Sequence, residues 1–122
     1  MDVTWQKVDK IRKSRDFRLI QRRGSKLKSR DFLFIFLPFH RVPNAIDHSR
    51  FGLVVSKKVG NAVCRNLVKR RLREGCRRNK HLLTASLNVV IIAFASAAFQ
   101  SQKEIDAQIV HVFNQLNQSS RK

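Results

Sequence analysis

Nine Lys and Arg side chains stand against a single acid, Glu74, in the stretch KKVGNAVCRNLVKRRLREGCRR, residues 57–78. The spacing of its apolar residues is helical. At about 100° per residue, Cys64, Val68, Leu72, Gly75 and Cys76 gather on one side of a helix over 62–79. Asn66, Lys69, Arg70, Arg73 and Arg77 fan out over an adjacent arc. One face can pack on a core while the other shows guanidinium and ammonium groups. Such groups, and the planar guanidinium fork above all, suit phosphate oxygens. A helix that merely faces water usually mixes signs, because Glu–Lys pairs at i,i+4 stabilise it. This arc has almost no acids and reads as a basic rod made to lie on phosphates.

Other chemistries find little support. The four histidines (His40, His48, His81, His111) and two cysteines show no zinc-ligand spacing. Eight acids scattered singly offer no paired-carboxylate site. No Ser, His and Asp residues fall in a convincing catalytic order, and KKVGN lacks the spacing of a phosphate-binding loop. No catalytic residue and no metal ligand is therefore assigned, and the polypeptide reads as a binder. DNA binding by a helix-turn-helix is disfavoured, since strands and a long loop precede the basic helix.

The whole chain supports that reading. Its 122 residues suit one domain, 1–122, and its 43% hydrophobic share suits a packed core. A net charge of +18 repels itself unless a polyanion offsets it. That charge is concentrated: residues 1–30 carry +8 and residues 57–80 carry +9, while 31–56 are neutral. An anionic partner, nucleic acid first, is the expectation. Cys64 and Cys76 lie on one helix, about 18 Å apart, too far to form a disulfide. The longest apolar stretch, Leu87–Phe99, is broken by Asn88 and Ser96 and is too short to span a bilayer. With no signal-peptide pattern, a soluble cytoplasmic protein with no membrane partner is expected.

The elements follow from local signals. Ser14 is placed to cap a helix over 15–23 that Gly24 stops. RDFLFIFLPF, residues 30–39, reads as a strand, with Phe32, Phe34 and Phe36 on one face and Leu33, Ile35 and Leu37 on the other. The phenylalanine face is read as core rather than as an RNA platform. RFGLVVS (50–56) is a second strand, and LNVVIIAFA (87–95) a buried one. Asn61 caps the basic helix, and SQKE (101–104) opens a last helix to 116 as a capping box. Residues 1–12 and 117–122 are expected to be loosely ordered. Strand, helix, strand around 50–95 suggests a β-α-β crossover in an α+β sandwich.

RFGLVVSKKVGNAVCRNLVKRRLRE closely resembles the signature of the bacterial ribonuclease P protein component, in particular the core from Lys57 to Glu74. SRDF (14–17), FLFIFLP (32–38) and LNVVIIA (87–93) extend the resemblance over residues 10–116. It implies a two-layer α/β sandwich in the order α-β-β-β-α-β-α with a left-handed crossover, although right-handed crossovers make up about 98% of such connections. It also implies a protein subunit that pairs with the large catalytic RNA of ribonuclease P. That RNA removes the 5′ leader of precursor tRNA using magnesium that it binds itself; the protein binds no cofactor and no small-molecule ligand. The resemblance places Arg65, Asn66, Lys69, Arg70 and Arg73 on the catalytic RNA, with Lys57 and Arg77 as additional basic residues. Phe17, Leu33, Ile35 and Lys58 fall in a cleft for the single-stranded leader, although Phe17 fits core packing equally well. The family often carries Tyr where this chain has Ile35, and a second aromatic where it has Gln21. The alternative is a structural RNA-binding protein such as a ribosomal component, from which the long motif at 57–74 discriminates.

Overall fold

The computed structural model describes residues 9–119. Its elements are α1 (Ser14–Arg23), β1 (Ser25–Lys28), β2 (Phe32–Pro38), β3 (Arg50–Val54), α2 (Ala62–Asn79), β4 (Leu87–Ala93) and α3 (Gln102–Ser119). The four strands form one sheet in the order β1-β2-β4-β3. β3 and β4 are parallel, joined through α2, and the other pairs are antiparallel.

The alternation in β2 sets the layers. Phe32, Phe34 and Phe36 point into the larger core with Leu87, Val89 and Ile91 of β4. Val68, Leu72 and Cys76 of α2 close it, with Ile105, Ile109, Phe113 and Leu116 of α3. Phe51 of β3 stacks on Phe113 with ring centroids 5.8 Å apart. The two helices come close at Gly75, where a Cβ would stand 2.4 Å from Ile109 Cδ1. The opposite face of the sheet is not bare, as a strictly two-layer arrangement would leave it. Ile20 of α1 packs there against Ile35, Leu37 and Val90, joined by Ile11 and Val42.

Local signals hold with one exception. Asn61 Oδ1 accepts from the Cys64 N–H at 2.9 Å, so α2 starts where its cap predicts. Ser101 Oγ accepts from the Glu104 N–H at 3.2 Å, and Glu104 Oε1 accepts from the Ser101 N–H at 3.4 Å, completing the capping box. Ser14, however, is the first residue of α1 rather than its cap; Lys13 holds that position without a side-chain hydrogen bond. At the other end the Gly24 N–H donates to Ile20 O at 2.7 Å. A Cβ on Gly24 would lie 2.6 Å from that same oxygen, so the tight exit into β1 needs glycine.

Parts of both terminal segments make contacts with the rest of the fold. Residues 1–8 and 120–122 lie outside the described residues. Residues 9–12 are tied down: the Ile11 N–H donates to Phe51 O at 3.0 Å, and Asp9 is fully buried between His48 Nε2 at 2.7 Å and Lys80 Nζ at 2.9 Å. Asn117 Nδ2 donates to Leu82 O at 2.6 Å, and its Oδ1 accepts from the Thr84 N–H at 2.9 Å.

A buried polar clamp fixes the β1–β2 turn. Asp31 is fully buried and accepts from Gln108 Nε2 at 2.6 Å. Gln108 Oε1 accepts from Ser29 Oγ at 2.7 Å and the Asp31 N–H at 3.0 Å. Burial pushes the Asp31 carboxyl up, but hydrogen bonds from Ser96, Gln108 and Arg30 outweigh it and hold the group below the usual carboxylate range. Asp31 O also accepts from the Phe94 N–H at 2.9 Å, which anchors the end of β4.

Candidate nucleic-acid interface

The buried side of α2 comprises Val68, Leu72, Gly75 and Cys76, as the spacing predicts. The outward side carries Asn66, Arg70 and Arg73, all exposed, with Lys69 at its edge. Among the described residues, no hydrogen bond or ion pair engages the side chains of Asn66, Lys69, Arg70 or Arg73. Arg65 donates to Gly60 O at 3.2 Å, which pins the turn before the helix. Cys76 is buried in the core, and burial with Asp106 nearby pushes its thiol up, far from nucleophilic character.

The acids explain why this face stays positive. Asp9 is held by His48 and Lys80, Asp16 lies 3.7 Å from Arg50, and Arg30 takes both Asp31 and Glu104. Glu74 holds Arg77 and lies 3.9 Å from Arg78, whose guanidinium also pairs with Asp106. The Arg77 hydrogen bond holds the Glu74 carboxyl below its ordinary range. None of these ion pairs engages Lys69, Arg70 or Arg73. Arg77, the additional basic residue of this helix, is paired with Glu74 three residues before it. Lys57 and Lys58 are exposed in the turn after β3, where the Lys58 N–H donates to Ser56 Oγ at 3.4 Å.

A cleft opens beside this face. The Phe17 ring lies directly on Gly52 of β3; a Cβ there would meet Phe17 Cε1 at 2.4 Å. Phe17 is partly exposed and also packs against the smaller core, so it serves as both cleft wall and core. A hollow of about 330 Å³ at the outer edge of β3 is lined by Phe17, Gly52 and Leu53 together with Asn66, Lys69 and Arg73. The surfaces expected to be separate, helix face and cleft, thus meet at one rim.

On the α1 face of the sheet, the register aligns Lys28, Leu33, Ile92 and Val54 across all four strands. Leu33, Ile92 and Val54 stay partly exposed and form an apolar floor at the margin of the smaller core. The next row, Lys26, Ile35, Val90 and Gly52, lies beneath α1. Ile35 is only 2% exposed, packed under α1 beside the floor, and is not placed to touch a ligand. Its position under α1 depends on where that helix crosses the sheet, which the strand alternation does not specify. Ile92 and Val54 escape the sequence reading because the antiparallel β2–β4 register sets Ile92 beside Leu33 and the parallel β3–β4 register sets Val54 beside Ile92. Among the described residues, no three His, Cys, Asp or Glu side chains gather as metal ligands.

The family model described as Ribonuclease P matches residues 5–117. The ribonuclease P protein component of Alkaliphilus metalliredigens is 32% identical over 111 residues, covering 91% of this chain and 96% of the relative. That of Desulfatibacillum aliphaticivorans is 33% identical over 118 residues, covering 97% and 96%. Among solved structures, the RNase P protein of Staphylococcus aureus superposes with a TM-score of 0.76 at 32% identity, covering 87% of this chain and 93% of that one. The RNase P protein of Thermotoga maritima gives 0.75 at 29% identity, covering 87% and 96%.

Proposed function

This chain belongs to the bacterial ribonuclease P protein family, and from that premise we propose how its surfaces serve the holoenzyme. It is the accessory protein subunit of ribonuclease P, the partner of the RNase P RNA. We assign Arg65, Asn66, Lys69, Arg70 and Arg73 to the catalytic RNA, with Lys57 extending that face. We assign Phe17, Leu33 and Lys58, together with Val54 and Ile92, to the 5′ leader of precursor tRNA. The observation that carries this assignment is the separation of charge: acids pair with other cations, while Lys69, Arg70 and Arg73 make no ion pair among the described residues, and Lys69 and Arg73 line the hollow beside Phe17.

The chemistry follows from that separation. Two polyanions, catalytic RNA and substrate, must approach each other, and each contact with Lys or Arg releases condensed counterions. Fixed cations at the junction do part of what free magnesium would otherwise do. The RNA supplies the metal-dependent cleavage. The protein holds the single-stranded leader by an apolar floor with a basic rim, an arrangement that tolerates any base.

Lys58→Ala tests the leader assignment. Holoenzyme affinity for a precursor with a long leader should fall by roughly tenfold or more, in line with the ~1.5–3 kcal/mol of one hydrogen bond to a charged group. Affinity for mature tRNA should stay unchanged. Equal weakening of both would place Lys58 on something other than the leader.

A further inference from the structure

Phe94 follows the last residue of β4 and continues the side of that strand that carries Asn88, Val90 and Ile92. It is partly exposed and packs against neither hydrophobic core. The Lys28 Nζ lies 5.6 Å from its ring centroid. Lys28 belongs to the register row that forms the open apolar floor, so ring and ammonium both stand at one end of the cleft. The backbone there is fixed by the hydrogen bond from Phe94 N–H to the carbonyl of the clamped Asp31. Lys58 lies beyond the C-terminal end of β3, at the same end of the sheet, because β3 and β4 are parallel.

We propose that Phe94 and Lys28 form a nucleotide subsite at the end of the cleft. A base stacks on the Phe94 ring and the Lys28 ammonium moves onto an adjoining phosphate. The ligand is an unpaired nucleotide of any base, since every base has a π-face and Lys28 reads only charge. The free protein keeps the ring ordered by laying the ammonium over it, an interaction that strengthens when water is excluded. Phe17 marks another point on the same path. Gly52, under Phe17, pairs with Val90, and Phe94 lies four residues further along β4, about 13 Å away. The two rings therefore meet different nucleotides.

This subsite rests on the leader reading above, and the experiment separates the two. Holoenzymes reconstituted with Phe94→Leu, Phe94→Trp, Phe17→Leu or Lys58→Ala are measured for affinity to one precursor tRNA carrying leaders of increasing length, and to the mature tRNA. Phe94→Leu should lose roughly tenfold affinity, only once the leader exceeds a threshold length, and that threshold should differ from the Phe17→Leu threshold. Phe94→Trp should keep parental affinity, and the Phe94 and Lys58 variants should melt with the parent. A Phe94→Leu holoenzyme that matches the parent at every leader length, or that loses mature tRNA equally, overturns the subsite. If Phe17→Leu and Lys58→Ala also show no dependence on leader length, the leader cleft itself is overturned.

Discussion

Arg70→Ala combined with Arg73→Ala is expected to leave the melting temperature at or slightly above the parent's and to cripple assembly with the catalytic RNA. Both side chains are exposed and without partners among the described residues. Arg73 has like charges one turn away at Lys69 and Arg70, and such i,i+3 and i,i+4 neighbours repel. Truncation thus relieves repulsion and breaks no interaction within the protein. Binding behaves oppositely. Removing a charge-assisted hydrogen bond to phosphate costs on the order of 1–3 kcal/mol, so the pair should weaken the complex by roughly two orders of magnitude. The salt dependence should flatten by about one unit of log–log slope for each phosphate that is no longer neutralised. Melting and RNA binding measured side by side decide it. A double variant that melts early yet binds normally when folded would make the basic run structural.

Leu72→Ala should reverse the pattern. Leu72 is fully buried in the core shared by the sheet, α2 and α3. Truncation there removes transfer energy and leaves a cavity, costing about 2–5 kcal/mol. The denaturant midpoint should drop with little change in slope. The folded fraction should bind RNA with parental affinity, because the opposite face of α2 is untouched. A variant with parental stability, or one that binds weakly while fully folded, would show that the helix is not oriented as described.

Much of this was legible in the chain. The apolar and basic arcs of α2, its Asn61 cap, the phenylalanine face of β2 and the Ser101–Glu104 box are local signals, and the structure realises each of them. What escaped depends on distant partners. Ser25–Lys28 is a mostly exposed edge strand of four residues, with too few apolar positions to announce itself except through the family order. Residues 9–12 look polar and loose until Phe51, His48 and Lys80 engage them. Ile35 reads as a cleft residue until α1 covers it. The floor of Leu33, Ile92 and Val54 exists only through cross-strand register. Two features do carry a local signal of their own. Glu74 stands three residues before Arg77, a spacing that pairs charges on a helix. Phe94 extends the even-numbered alternation of β4 by one step.

The most direct test of the account is cleavage of a precursor tRNA by the ribonuclease P RNA at low magnesium, with and without this chain. The RNA alone should leave the leader attached, and adding the protein should restore its removal, while the Arg70→Ala, Arg73→Ala double variant requires far more protein to do so. Unchanged cleavage on adding a folded, RNA-bound protein would contradict the account.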